Sequence, residues 1–152
     1  MSKVYLALYK GKGDWVDKLI RLATKGRYSH CEMAVEQRRY KSGDRCLPEV
    51  SYICYSSSLR DGGVRCKVID VDDASKWDLI ELSNVTEAKI KAYFKQTNGK
   101  KYDLWGALGV VLRNTHSNNR YFCSEWCGEV LGIKEAWRFS PNDLEAIARS
   151  VL

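Results

Sequence analysis

Histidine is scarce in this 152-residue chain, occurring only as His30 and His116, so imidazole-based acid–base chemistry has just two places to sit. No apolar run approaches the roughly 18 residues that a membrane-crossing helix needs, and a membrane span is not expected. The opening Met-Ser-Lys-Val-Tyr lacks the basic-then-apolar pattern of a signal peptide, which predicts a protein made and kept in the cytoplasm. Basic residues outnumber acidic ones and the formal net charge is +6, but Lys and Arg are spread along the chain and accompany no nucleic-acid motif. That pattern predicts a solvated basic face rather than a nucleic-acid partner. Internal repeats, low-complexity tracts and linkers are absent as well.

What is present is core-forming material. With 45% hydrophobic residues and five Trp, the chain reads as one domain over 1–152, large enough to bury a core without metal or disulfide staples. Six cysteines stand at 31, 46, 54, 66, 123 and 127. The expected compartment favours reduced thiols, several of them acting as small buried hydrophobes.

The pattern along the chain predicts a mixed architecture. Val4 to Tyr9 reads as a buried strand, and Asp14 caps a helix near 15–25 that Gly26 stops. Tyr28 to Val35, 50–57 and Val64 to Val71 read as strands of an antiparallel meander, interrupted by a polar loop over 37–49 and by the turn Arg60-Asp61-Gly62-Gly63. Trp77 to Leu82 adds a strand and Thr86 to Gln96 a helix. Tyr102 to Leu112 is apolar almost all round and predicts a buried helix, with Tyr102 and Trp105 read as packing residues. A short helix opens at Cys123 and ends at Gly132, and a last one starts after Ser140-Pro141, with Pro at the first helical position.

Cys123 falls in Tyr-Phe-Cys-Ser-Glu-Trp-Cys, at a helix start, where unpaired N–H groups and the helix dipole favour thiolate over thiol. His30 opens the strand Ser-His-Cys-Glu-Met-Ala-Val. Strand alternation puts His30 and Glu32 on one side and Cys31 on the other. If the meander packs on the Cys123 helix, the imidazole meets the thiol, takes its proton and returns it to a leaving group. A polar group behind the ring is then required. Glu32 is one choice, and Ser56, Ser57 and Ser58 are the others, since the hairpin brings them roughly opposite His30; a purely structural Glu32 would instead be salt-bridged to Arg60 or Arg65. A zinc site built from Cys123, Cys127, His30 and Cys31 fits poorly, because His30 and Cys31 face opposite ways and Cys127 lies a turn deeper in the helix.

Four segments together carry a family resemblance: Ser-His-Cys-Glu-Met-Ala-Val at 29–35, Tyr-Ser-Ser-Ser-Leu-Arg-Asp-Gly-Gly-Val-Arg at 55–65, Lys-Tyr-Asp-Leu-Trp-Gly at 101–106 and Phe-Cys-Ser-Glu-Trp-Cys at 122–127. They resemble the circularly permuted branch of the NlpC-type papain-like hydrolases, which includes YiiX/YebB-like proteins and, more distantly, lecithin:retinol acyltransferase-like enzymes. Small forms carried by tailed phages look similar too. The resemblance spans most of 4–145 and implies a His-first, Cys-last order, with Cys123 as nucleophile and His30 as base. It also implies a third polar residue, for which Glu32 is the choice made here. The oxyanion donors would be the Cys123 N–H and a second group, Tyr9 or Tyr121.

The expected fold is therefore α+β, an antiparallel sheet of four to six strands packed on the Cys123 helix in a permuted papain-like arrangement. The expected function is a cysteine hydrolase or acyltransferase acting on an amide, thioester or ester through an acyl-Cys intermediate, with no cofactor or metal implied. Peptide, lipid and cell-wall substrates share the carbonyl chemistry. A catalytically silent scaffold that binds or regulates a host protein is the alternative.

Overall fold

A computed structural model describes residues 2–40, 48–104, 107 and 120–151. Among the described residues seven strands form one mixed sheet, and with the helices they give an α+β fold. In chain order the strands are β1 (Val4–Tyr9), β2 (His30–Arg39), β3 (Glu49–Ser58), β4 (Gly63–Val68), β5 (Trp77–Glu81), β6 (Lys101–Tyr102) and β7 (Arg120–Tyr121). The helices are α1 (Trp15–Thr24), α2 (Glu87–Thr97), α3 (Cys123–Leu131) and α4 (Pro141–Val151), with a 3₁₀ turn at Ala136–Arg138. The sheet order is β5-β1-β2-β3-β4-β6-β7. Every pairing is antiparallel except β6 with β7.

The expected meander is β2-β3-β4, and β1 and β5 extend it beyond β2. The sheet is wider than the four to six strands expected, because two-residue strands at 101–102 and 120–121 are too short to leave a periodic signal. Tyr102, expected to open a helix, lies in β6. Of the rest of that expected helix only Asp103, Leu104 and Ala107 are described, and the greater part of the 37–49 loop also lies outside the described residues.

Side chains alternate across the central strands as a sheet covered on both faces requires. Leu6 and Leu8 of β1 with Cys31, Met33 and Val35 of β2 face the helices, where they meet Trp126, Cys127 and Val130 of α3 and Leu144 and Ala148 of α4. Ala7, Ala34, Tyr52 and Cys54 face the other way and are covered by Val71 and Trp77.

The α3 helix is buried on nearly every side, with only Glu129 and Leu131 escaping the core. The Trp126 indole N–H donates to Thr97 Oγ1 of α2 at 2.9 Å, and the Ser124 hydroxyl donates to the Phe139 carbonyl at 2.8 Å. Gly128 lets Ala136 pack against the helix, since a Cβ there would lie 2.9 Å from the Ala136 Cβ. These contacts hold the start of α3, and with it Cys123, against the first residues of β2.

The α1 helix is started by a reciprocal cap. Asp14 accepts from the Val16 and Asp17 N–H groups, and the Asp17 carboxylate accepts from the Asp14 N–H. It stops one residue before the expected glycine, with Lys25 in the left-handed region at φ 49°.

Candidate active site

His30 is the first residue of β2, so its ring stands at the end of the strand rather than in the middle of a face. There it reaches in two directions. On one side Nε2 lies 2.7 Å from Oε1 of Glu32. On the other side the ring meets the Cys123 sulfur, through both a hydrogen bond and a charge interaction. With Nε2 engaged by the carboxylate, Nδ1 is left for the thiol.

Glu32 is completely buried. A lone carboxylate there would be forced neutral, yet its pKa is lowered. Burial works to raise it, and the Arg65 hydrogen bonds and the His30 charge overcome that burial. Arg65 grips Glu32 at both oxygens, Nη1 to Oε2 at 2.6 Å and Nη2 to Oε1 at 2.5 Å. Arg65 stands opposite the small Ser56 in the β3–β4 ladder, and its long side chain spans past that residue to Glu32. Its Nε donates to Asp61 at 2.7 Å, and Asp61 also takes Lys67 at 2.9 Å. A run of alternating charge thus leads from the Asp61 turn to the imidazole.

At the start of α3 the Cys123 sulfur accepts from the Cys31 thiol and from the Cys31 main-chain N–H. The Cys31 thiol, the His30 charge and that N–H hold the Cys123 pKa well below the ordinary thiol value, although burial opposes them. Burial also works against charge on His30, but the Cys123 thiolate and the Glu32 carboxylate raise its pKa to about 10. Both directions favour a thiolate paired with an imidazolium. Burial pushes the Cys31 and Cys54 thiols the opposite way, upward.

Cys123, His30 and Glu32 come together. The serines do not meet the imidazole: Ser56 donates to the Cys31 carbonyl at 2.7 Å, Ser57 donates to the Tyr121 carbonyl at 2.6 Å, and Ser58 bonds Asp61. The β2–β3 ladder stops at Met33–Tyr55, and the Ser56 hydroxyl takes the carbonyl that the ladder no longer serves. Cys31 does face away from Glu32, but α3 packs on that face, so the expected core thiol also touches the nucleophile. Arg60 bonds Asp14 and Asp17, not Glu32. His116, Cys46 and Trp105 lie outside the described residues. The five described cysteines are free thiols. Among the described residues no group of three or more His, Cys, Asp or Glu side chains is arranged to hold a metal ion.

A cleft of about 220 Å³ opens over the His30–Glu32 pair, bounded by Tyr9, Asp17, Arg60, Asp61, Arg65 and Trp77 among others. Cys123 faces a much smaller pocket of about 10 Å³ and is 3% exposed. Ile20, Ser29 and Tyr102 line both spaces and stand between them. Tyr121 lines neither; it is buried edge-on to Tyr93, with Lys100 over its ring. Tyr9 lines the cleft and packs against Trp77 with its ring tilted at 59°, 5.0 Å between ring centres. Tyr102 is the phenol that sequence reasoning assigned to packing. Burial and the nearby Cys123 thiolate raise its pKa well above the ordinary value, so it stays protonated and is a donor.

Compared with models of known protein families and with curated proteins, the chain matches none.

Proposed function

We infer that the chain is a cysteine hydrolase or acyltransferase with a permuted papain-like arrangement, Cys123 being the nucleophile, His30 the acid–base group and Glu32 the residue that orients it. The observation that carries this reading is the continuous contact Cys123–His30–Glu32 with a lowered thiol and a raised imidazole pKa. The thiolate attacks a carbonyl carbon of an amide, ester or thioester and forms a C–S bond. Negative charge moves to the carbonyl oxygen, and the Cys123 N–H at the helix start and the Tyr102 phenol are available donors for it. Collapse expels the leaving group, which takes the proton from the His30 imidazolium.

Acylation removes the thiolate that held His30 charged. Its pKa therefore drops, and the neutral ring becomes a base for water or an acceptor nucleophile, whose attack releases the acyl group and regenerates the thiolate–imidazolium pair. Glu32 holds the ring in one orientation through both halves and in one tautomer while it is neutral.

The burial of Cys123 favours a second reading, a scaffold that binds a partner and does not turn over, since a carbonyl group needs more room than the small pocket beside the sulfur offers. One experiment separates them. Iodoacetamide at pH 6, followed by mass spectrometry, should modify Cys123 ahead of the exposed Cys66, and His30→Ala should remove that preference. Labelling of Cys66 with Cys123 inert overturns the enzyme reading. Profiling with peptide, lipid and peptidoglycan acyl donors then identifies the substrate.

A further inference from the structure

The α1 helix is built inside out. A helix on the surface of a globular protein turns its apolar stripe to the core and its polar face to water. In α1 the inward face carries Asp17, Arg21 and Thr24 beside Ile20. Asp17 accepts from the Ser29 hydroxyl at 2.7 Å and from Arg60 at 2.6 Å, Arg21 donates to the Gly11 and Lys12 carbonyls, and Thr24 Oγ1 accepts from Asn142. The outward face carries Trp15, Leu19 and Leu22, at spacings of four and three residues that align them along one stripe. Trp15 is 72% exposed, Leu22 77% and Leu19 38%. Trp15 and Leu22 are largely uncovered and Leu19 is partly so.

The charges beside this stripe have one sign. Lys12, Lys18 and Lys25 flank it, all exposed and without an ion pair among the described residues. The acidic residues of the segment are engaged elsewhere, Asp14 and Asp17 with Arg60. Trp at one end, Leu along the middle and lysines at the margins are what a helix lying in a lipid interface presents, the ring and the aliphatic groups entering the acyl boundary and the ammonium groups meeting anionic headgroups.

We propose that α1 is a docking surface for an anionic lipid membrane, with Trp15, Leu19 and Leu22 inserted and Lys12, Lys18 and Lys25 against the headgroups. This goes beyond the catalytic reading and does not depend on it. The opposite face of the same helix supplies Asp17 and Ile20 to the cleft beside His30, so docking seats the cleft next to the lipid–water boundary.

The test uses the full chain and large unilamellar vesicles, either pure phosphatidylcholine or an equimolar mixture with phosphatidylglycerol. Co-sedimentation should be at least about tenfold stronger with the anionic vesicles and should weaken with salt. The double variant Trp15→Ser/Leu22→Ser should lose about tenfold or more of that binding, with melting temperature and gel-filtration volume unchanged. Lys18→Glu/Lys25→Glu should lose the preference for anionic vesicles. Brominated acyl chains should quench wild-type tryptophan emission more than that of Trp15→Phe. Four results overturn the proposal: no binding of the full chain to anionic vesicles; equal binding by Trp15→Ser/Leu22→Ser; a dimer that this variant converts to monomer, which makes a second copy the occupant; or a variant that melts lower or fails to fold, which makes another part of this chain the cover.

Discussion

Glu32 serves two cations at once: its Oε1 lies 2.7 Å from His30 Nε2 while both of its oxygens accept from the Arg65 guanidinium. Arg65 keeps the buried carboxylate ionised, and in doing so it competes with the imidazolium for the same negative charge. The two partners therefore affect the site with opposite sign.

That opposition makes the roles separable. Glu32→Gln keeps a hydrogen-bonding group behind the ring but removes the charge that favours imidazolium, so the His30 titration read by NMR should move down and the pKa for Cys123 alkylation should rise. Arg65→Gln leaves the carboxylate to His30 alone, and the His30 titration should move up or stay where it is. Both variants break a buried ion pair, which costs about 3 kcal/mol, so both should melt lower. Equal downward movement of the His30 titration in the two variants would mean that Glu32 stays ionised only through Arg65, so that losing either group costs His30 its negative partner, and no movement in Glu32→Gln would make Glu32 only a structural partner of Arg65.

Acid sensitivity follows from the same carboxylate. The Glu32 pKa is lowered in the folded state because the Arg65 hydrogen bonds and the His30 charge outweigh burial. A lowered acid pKa contributes stability that is present above the unfolded value, near 4.5 for a Glu side chain, and is lost as pH falls through the folded value. The difference in melting temperature between wild type and Glu32→Gln should hold steady from pH 7 to about pH 5 and shrink as the solution is made more acid. A difference that grows on acidification would contradict this.

Gly63 ties the cleft turn to the strand that carries Tyr102. A Cβ at 63 would lie 2.0 Å from the Lys100 carbonyl oxygen, and Gly63 pairs with Lys101 in the β4–β6 ladder. Neighbouring Gly62, at φ 81°, has nothing within 4 Å of its Cβ position. Gly62→Ala should therefore cost about 1 kcal/mol, the conformational term alone. Gly63→Ala must push the Lys100 backbone aside and should cost clearly more, about 2–3 kcal/mol, in urea unfolding. Equal costs would mean that β6 yields freely.

What the sequence made readable was local. The Asp14 cap of α1, the Gly132 end of α3, the apolar run of β1, and the shared face of His30 and Glu32 all follow from neighbours within a few residues. Gly132 closes α3 at φ 85° in the left-handed position expected of it. The Arg65–Glu32 pair was readable only as one of two options, Arg60 or Arg65, because it joins residues 33 apart across an intervening strand. Cys31 was half readable: alternation gave its face, but which helix would cover that face depended on packing. Two-residue strands hid Tyr102, and the polar inward face of α1 could not be told from an outward one without knowing that Ser29, Arg60 and Asn142 wait beneath it.

Tyr102 gives the last test, and it uses a contrast between two reactions of the same sulfur. Its side chain lies between the cleft and the Cys123 pocket, and burial with the nearby thiolate keeps its phenol protonated. Alkylation of Cys123 by iodoacetamide develops no charge on a carbonyl oxygen, so Tyr102→Phe should leave its rate and pH profile nearly unchanged. Acylation by p-nitrophenyl acetate does develop that charge, and loss of one oxyanion donor costs on the order of 10²-fold. Tyr102→Phe should therefore slow acylation by about that factor while folding as wild type, since the ring that fills the space remains. Equal slowing of both reactions would assign Tyr102 to positioning the thiolate, and no slowing of either would return it to packing.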